Sequence, residues 1–91
     1  MKEHDLKTWP NEFSAVADGS KRFEWRRDDG RGFEVGDVLI LHEWEPTPGK
    51  YTGRVLRATV TYLLRGPAFD APSGYVIMSI LPDPLGEPWN V

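Results

Sequence analysis

Cysteine is absent from the 91 residues, and with it go disulfides, thiolate nucleophiles, iron–sulfur clusters and the common zinc knuckles. Long apolar runs are missing too. The longest are Val38–Leu41 and Val76–Leu81, the second interrupted by Ser79. Both fall far short of the ~18 residues of a membrane-spanning helix, so no membrane partner is expected. The opening Met1-Lys2-Glu3-His4-Asp5 holds no apolar signal region, and the expected location is the cytoplasm. Histidine is scarce: His4 and His42 stand far apart with no third ligand nearby, so no metal is expected, and nothing suggests another cofactor. Ser14, Ser20, Ser73 and Ser79 lie in no nucleophile-elbow context, which excludes Ser–His–Asp chemistry. Charge of one sign is also lacking. A net charge of −3 weighs against a domain gripping a long nucleic-acid backbone with a broad basic face.

What is present is a 40% hydrophobic, 12% aromatic chain with four tryptophans, ample for one core. Residues 1–91 are expected to form a single domain, with 82–91 a loosely packed tail. The cations are concentrated: Lys21, Arg22, Arg26, Arg27 and Arg31 are five of the 11 basic residues. Such a focus suits one phosphate or nucleotide better than a duplex; the competing reading is a strand edge kept basic against aggregation.

Nine glycines and eight prolines punctuate the chain into short segments. Glu3–Trp9 reads as a strand. Pro10 suits a first helical turn, Glu12 favours the positive end of the helix dipole, and Phe13, Val16 and Ala17 share one face before Gly19 stops the helix. Arg22–Arg27 alternates charge with Phe23 and Trp25, a half-buried strand with the two aromatics expected in the core and Arg22, Glu24 and Arg26 opposite. Asp28–Gly32 is a turn. Val38–Trp44 is an apolar strand expected to be covered on both faces. Tyr51–Leu64 is a long strand with a bulge at Gly53, its core face carrying Leu56, Ala58, Val60, Tyr62 and Leu64. Tyr75–Leu81 closes the set. Five short strands and one early helix predict an α+β fold, a small barrel plugged by the helix.

Chemistry concentrates at Gly19-Ser20-Lys21-Arg22-Phe23-Glu24-Trp25-Arg26. Glu24 could orient or deprotonate a water while Lys21 and Arg26 stabilise an oxyanion or bind phosphate; the plain alternative is a solvated ion-pair ladder worth 0–~1 kcal/mol per pair. Trp9 and Tyr75 could stack on a base, and Lys7 could reach the same cleft; core packing and a solvated lysine are the alternatives.

The pattern Gly19-x-Lys21-x-x-Glu24-x-Arg26, followed by Phe33-Glu34-Val35-Gly36-Asp37-Val38-Leu39, resembles the signature of the ASCH domain of the PUA-like superfamily. His4–Pro10, Glu43-Trp44, Tyr51–Arg54, Val60–Leu64 and Gly74–Met78 extend the likeness to the small bacterial and phage DUF3850-type proteins. The resemblance covers residues 4–81. It implies a PUA-like barrel with a ligand cleft between barrel and helix, and a nucleoside or nucleotide small molecule as partner, with RNA as the alternative. It also implies kinship to N4-acetylcytidine amidohydrolases, whose proposed set is a lysine, a threonine three residues on and a downstream glutamate. Lys21 matches the lysine, Glu24 stands where the threonine is expected, and Asp70 is the only acid in the loop that would supply the downstream carboxylate. The expected activity is removal of acyl groups from N4-acylated cytosine nucleosides, with Lys21 and Glu24 catalytic and Arg26, Lys7, Trp9 and Tyr75 binding substrate. The alternative is a non-catalytic module that binds RNA or a modified nucleotide. Neither Lys21 nor Glu24 is expected to sit in the core.

Overall fold

The computed structural model describes residues 1–83 and the backbone of Trp89–Asn90. In chain order it contains β1 (Glu3–Thr8), α1 (Pro10–Ala17), β2 (Phe23–Arg27), β3 (Val38–Glu45), β4 (Lys50–Arg65), β5 (Tyr75–Pro82) and β6 (Trp89–Asn90). A three-residue 3₁₀ turn, Ala68–Asp70, lies between β4 and β5. The strands form one curled sheet, a half-barrel in the order β1-β3-β4-β5-β2, with β6 on β4. Only β1 and β3 run parallel; the chain returns between them through α1 and β2. The α+β barrel-like fold expected from five strands and one helix is what forms.

Alternation along the strands fills the concave side. Leu6 of β1, Leu39 and Leu41 of β3, Leu56, Ala58 and Val60 of β4, and Val76, Met78 and Ile80 of β5 are all buried. Helix α1 covers this side with Phe13 and Val16, both fully buried, each worth roughly 1.5–3 kcal/mol of burial. Pro10 starts the helix, and Gly19, at φ +86°, turns the chain out of it. The second face of β3 is less covered than expected, since Ile40, His42 and Trp44 are only half-buried.

Two bulges shape β4. Its pairing with β3 shifts between His42 and Trp44, opposite the stretch containing Gly53 (φ +93°), where the bulge was expected. A second shift, at Thr61, moves the pairing with β5 by one residue. That slip turns Tyr62 outward, 68% exposed, and Leu63 packs against the core instead. Tyr62 therefore does not belong to the core face to which simple alternation assigned it.

β1 and β2 are the two ends of the sheet, and side chains span the gap between them. The Arg26 guanidinium donates to Lys7 O at 3.1 Å, and Arg31 donates to Asp5 O at 3.1 Å, satisfying carbonyls on the free edge of β1. The Asp28–Gly32 turn is tied to the N-terminus by Lys2 Nζ, 2.8 Å from both Arg31 O and Gly32 O. Of the expected tail, Pro82 ends β5 and Trp89–Asn90 pairs with Arg54–Val55, while 84–88 and 91 lie outside the described residues.

Candidate functional site

A cleft of about 710 Å³ opens between β2 and the start of α1. That volume is within the ordinary range for a small-molecule site, roughly 300–1,000 Å³. Its lining includes Lys7, Thr8, Trp9 and Glu12 from the β1–α1 side, and Lys21, Phe23, Glu24, Trp25 and Arg26 from the β2 side. Five of the six residues singled out in the sequence are thus brought to one place. Tyr75 is not among them. It sits beside β2, its hydroxyl accepting from Arg27 at 2.8 Å and its ring edge-on to Trp25 at 6.5 Å. Asp70 lies exposed in the 3₁₀ turn and does not line the cleft either.

The faces of β2 are the reverse of the expected ones. Phe23 and Trp25 are 48% and 49% exposed, whereas Glu24 is 2% exposed. Glu24 pairs with Met78 of β5, and that buried neighbour places its carboxylate at the inner floor of the cleft. Inside the barrel the charge is balanced locally. Glu24 Oε2 accepts from Arg26 Nε at 2.9 Å, and a second Arg26 nitrogen reaches Thr8 Oγ1 at 3.3 Å. Lys21 Nζ lies 3.8 Å from Glu24 Oε1 but is hydrogen-bonded to Glu12 Oε1 at 2.7 Å. That bond and the lysine charge hold the Glu12 carboxyl below its ordinary range. Glu24 Oε1 is buried with no hydrogen-bond partner among the described residues.

The walls are aromatic. Trp9, 59% exposed, stands with Phe23 and Trp25 in a rim that also holds Lys7, Lys21 and Arg26, the Lys21 Nζ 5.2 Å from the Phe23 ring centre. Lys7 is steadied by Trp44, its Nζ 4.0 Å from the ring centre. Exposed aromatics are costly in water unless something covers them, and planar heterocycles do so at roughly 1–3 kcal/mol per stacked base. The three cations and two carboxylates of the lining leave it with a net positive charge, which favours an anionic over a cationic ligand.

Two buried acids escaped the sequence reading. Asp37, at the end of the Val35-Gly36-Asp37 turn, accepts from Lys2 N at 2.9 Å, Glu34 N at 3.0 Å and His4 Nε2 at 2.8 Å. Burial alone would raise its carboxyl, but these three hydrogen bonds and the nearby imidazole outweigh it and hold the group at about 2. The role is structural, since the cluster ties the chain start to the turn before β3. Glu43, 6% exposed, accepts from Thr52 Oγ1 at 2.8 Å and lies 3.5 Å from Arg54. A lone acid inside the apolar Val38–Trp44 run was the available signal. His42 bonds Asp5 at 2.8 Å, and no three potential metal ligands cluster among the described residues. No helix among them is long and apolar enough to cross a membrane.

Comparison with known proteins agrees with the extent of these motifs. The chain is 45% identical over 60 residues to an uncharacterized 12.9 kDa protein in the GpA 3′ region of Escherichia phage P2, a match covering 66% of this chain. The chain spans about half the length of that relative, 52%. Residues 3–80 match the family model described as a domain of unknown function, DUF3850, from β1 almost to the end of β5, and the chain belongs to that family.

Proposed function

We propose that this protein binds a nucleoside or nucleotide in the cleft between β2 and α1, with the base against Trp9, Phe23 and Trp25. One observation carries the reading: exposed aromatics and cations share a single concave site over a buried carboxylate. Stacking supplies affinity for any flat base, and the floor supplies direction. Arg26, fixed by Glu24 and Thr8, and Lys21, fixed by Glu12, stand ready for a phosphate or a base carbonyl. The compact cation set favours a small ligand over long RNA. The likeness to ASCH and PUA-like domains belongs to this proposal, as does action in the cytoplasm.

A second reading has its own support, the 3.8 Å approach of Lys21 to Glu24. In it the cleft hydrolyses N4-acylated cytosine nucleosides. Water adds to the acyl carbonyl and the C–N bond breaks; one proton of the water goes to the departing amine, and the acyl group leaves as a carboxylic acid that gives its proton to solvent. Lys21 would stabilise the oxyanion and Glu24 would orient the water. The grip of Arg26 on Glu24 makes that carboxylate a better anchor than base, which is why binding comes first.

Incubation with N4-acetylcytidine, followed by chromatography for cytidine, separates the two readings. Binding measured by tryptophan fluorescence without turnover supports the binding module. Turnover lost in Lys21→Ala supports hydrolysis. Neither binding nor turnover with any nucleoside or nucleotide would refute both.

A further inference from the structure

Glu24 Oε1 is an anomaly in a well-satisfied interior: a buried carboxylate oxygen, on a residue that lines the cleft, with no hydrogen-bond donor among the described residues. Its partner oxygen is held by Arg26 at 2.9 Å, so the carboxylate cannot rotate to relieve it without breaking that bond. Lys21 makes an ion-pair approach but no hydrogen bond to it, since its Nζ is 3.8 Å away and drawn toward Glu12 at 2.7 Å. A buried acceptor left unmade is destabilising, and such an atom in a binding cleft marks where a ligand supplies the missing bond.

The missing partner must be a donor, because an ionised carboxylate offers only lone pairs. It must also protrude, because the oxygen lies at the floor beneath an aromatic rim. An exocyclic amine meets both demands: it projects beyond the ring and carries no lone pair available to oppose the carboxylate. A keto oxygen at the same ring position would set oxygen against oxygen. We propose that Glu24 is a specificity-determining residue that takes an N–H from the exocyclic amine of the bound base on Oε1. The site then prefers amino bases over their keto counterparts. This rests on the nucleoside reading of the cleft.

The wild-type chain is titrated with the 5′-monophosphates of cytidine and uridine, and of adenosine and inosine, by calorimetry at one salt concentration. Each pair differs by amine against keto at one ring position and, beside it, by a bare against a protonated ring nitrogen, which in the keto member lies in the ring plane and does not project to the floor. The expected result is roughly 10–100-fold tighter binding of the amino member in both pairs, the usual scale for one hydrogen bond to a charged group. Glu24→Gln keeps an oxygen for Arg26 and offers an amide N–H₂ toward the ligand, so the preference should shrink or reverse toward the keto member; a thermal melt confirms that it is folded. Equal affinity within both pairs overturns the role of Glu24 while leaving the nucleoside site standing. Binding of none of the four overturns both.

Discussion

Replacing Asp37 by Asn tests the deepest electrostatic feature of the fold. The side chain is 2% exposed and accepts three hydrogen bonds, from Lys2 N, Glu34 N and His4. Its carboxyl falls from 3.8 to about 2, and at ~1.4 kcal/mol per unit the charged form contributes about 2 kcal/mol to stability. Asn removes that charge and turns an N–H₂ toward a backbone donor, leaving a buried group unpaired at a further 1–3 kcal/mol or so. The expected loss is about 3 kcal/mol or more at pH 7, a Tm fall of at least ~12 °C for a domain this small. The sign with pH follows from the lowered value. The carboxylate's contribution is complete above its ordinary range near 4 and is lost as pH falls through about 2. Urea unfolding of both proteins between pH 7 and 2 should show the gap narrowing by about 2 kcal/mol below pH 4. A gap under ~1 kcal/mol at pH 7, or one unchanged down to pH 2, would refute the reasoning.

Three further outcomes are expected. Arg26→Lys keeps the charge but cannot reach Glu24 Oε2, Lys7 O and Thr8 Oγ1 together, so chemical unfolding should show a loss of roughly 1–3 kcal/mol; an unchanged midpoint would mean that the bridge between the sheet ends adds no stability. Gly66→Ala would place a Cβ 1.9 Å from Pro72 O, a backbone atom, and should cost at least ~2 kcal/mol in the same assay; a neutral effect would show that the Gly66–Gly74 loop yields freely. Nucleotide affinity should fall gently with salt, with one or two counterions released through Arg26 and Lys21, whereas a log–log slope near six would point to long nucleic acid.

Much of the fold was legible because it rests on local chemistry. Pro10 and Gly19 bound the helix, and alternation or apolar runs between turn residues mark β1 to β5 to within a residue, whereas β6 falls in the stretch read as a tail. The gathering of Lys7, Trp9, Lys21, Glu24 and Arg26 in one cleft was legible as well. What alternation cannot tell is which face of a strand is inside. In β2 hydrophobicity argued for Phe23 and Trp25 inward, yet the barrel buries Glu24, whose charge Arg26 balances and whose neighbour is Met78. Phe23 and Trp25, on the opposite face, are left half-exposed at the cleft. Tyr62 was misplaced by a bulge at Thr61 that no glycine announces, and Tyr75 by a lateral offset set by pairing with Arg27. Asp37 and Glu43 went unread because their donors come from distant positions, Lys2 and Thr52 among them.

The central claim is that the cleft between β2 and α1 is the ligand site. Amide chemical shifts of the labelled protein, followed as cytidine 5′-monophosphate is added, test it most directly. The expected result is saturable shifts concentrated in residues 7–9, 11–12, 21 and 23–26 and in the indole N–H signals of Trp9 and Trp25, the groups that line the cleft. Shifts centred instead on His42 and Tyr51–Val55, where a smaller hollow of about 350 Å³ lies, or no saturable shifts at millimolar nucleotide, would contradict it.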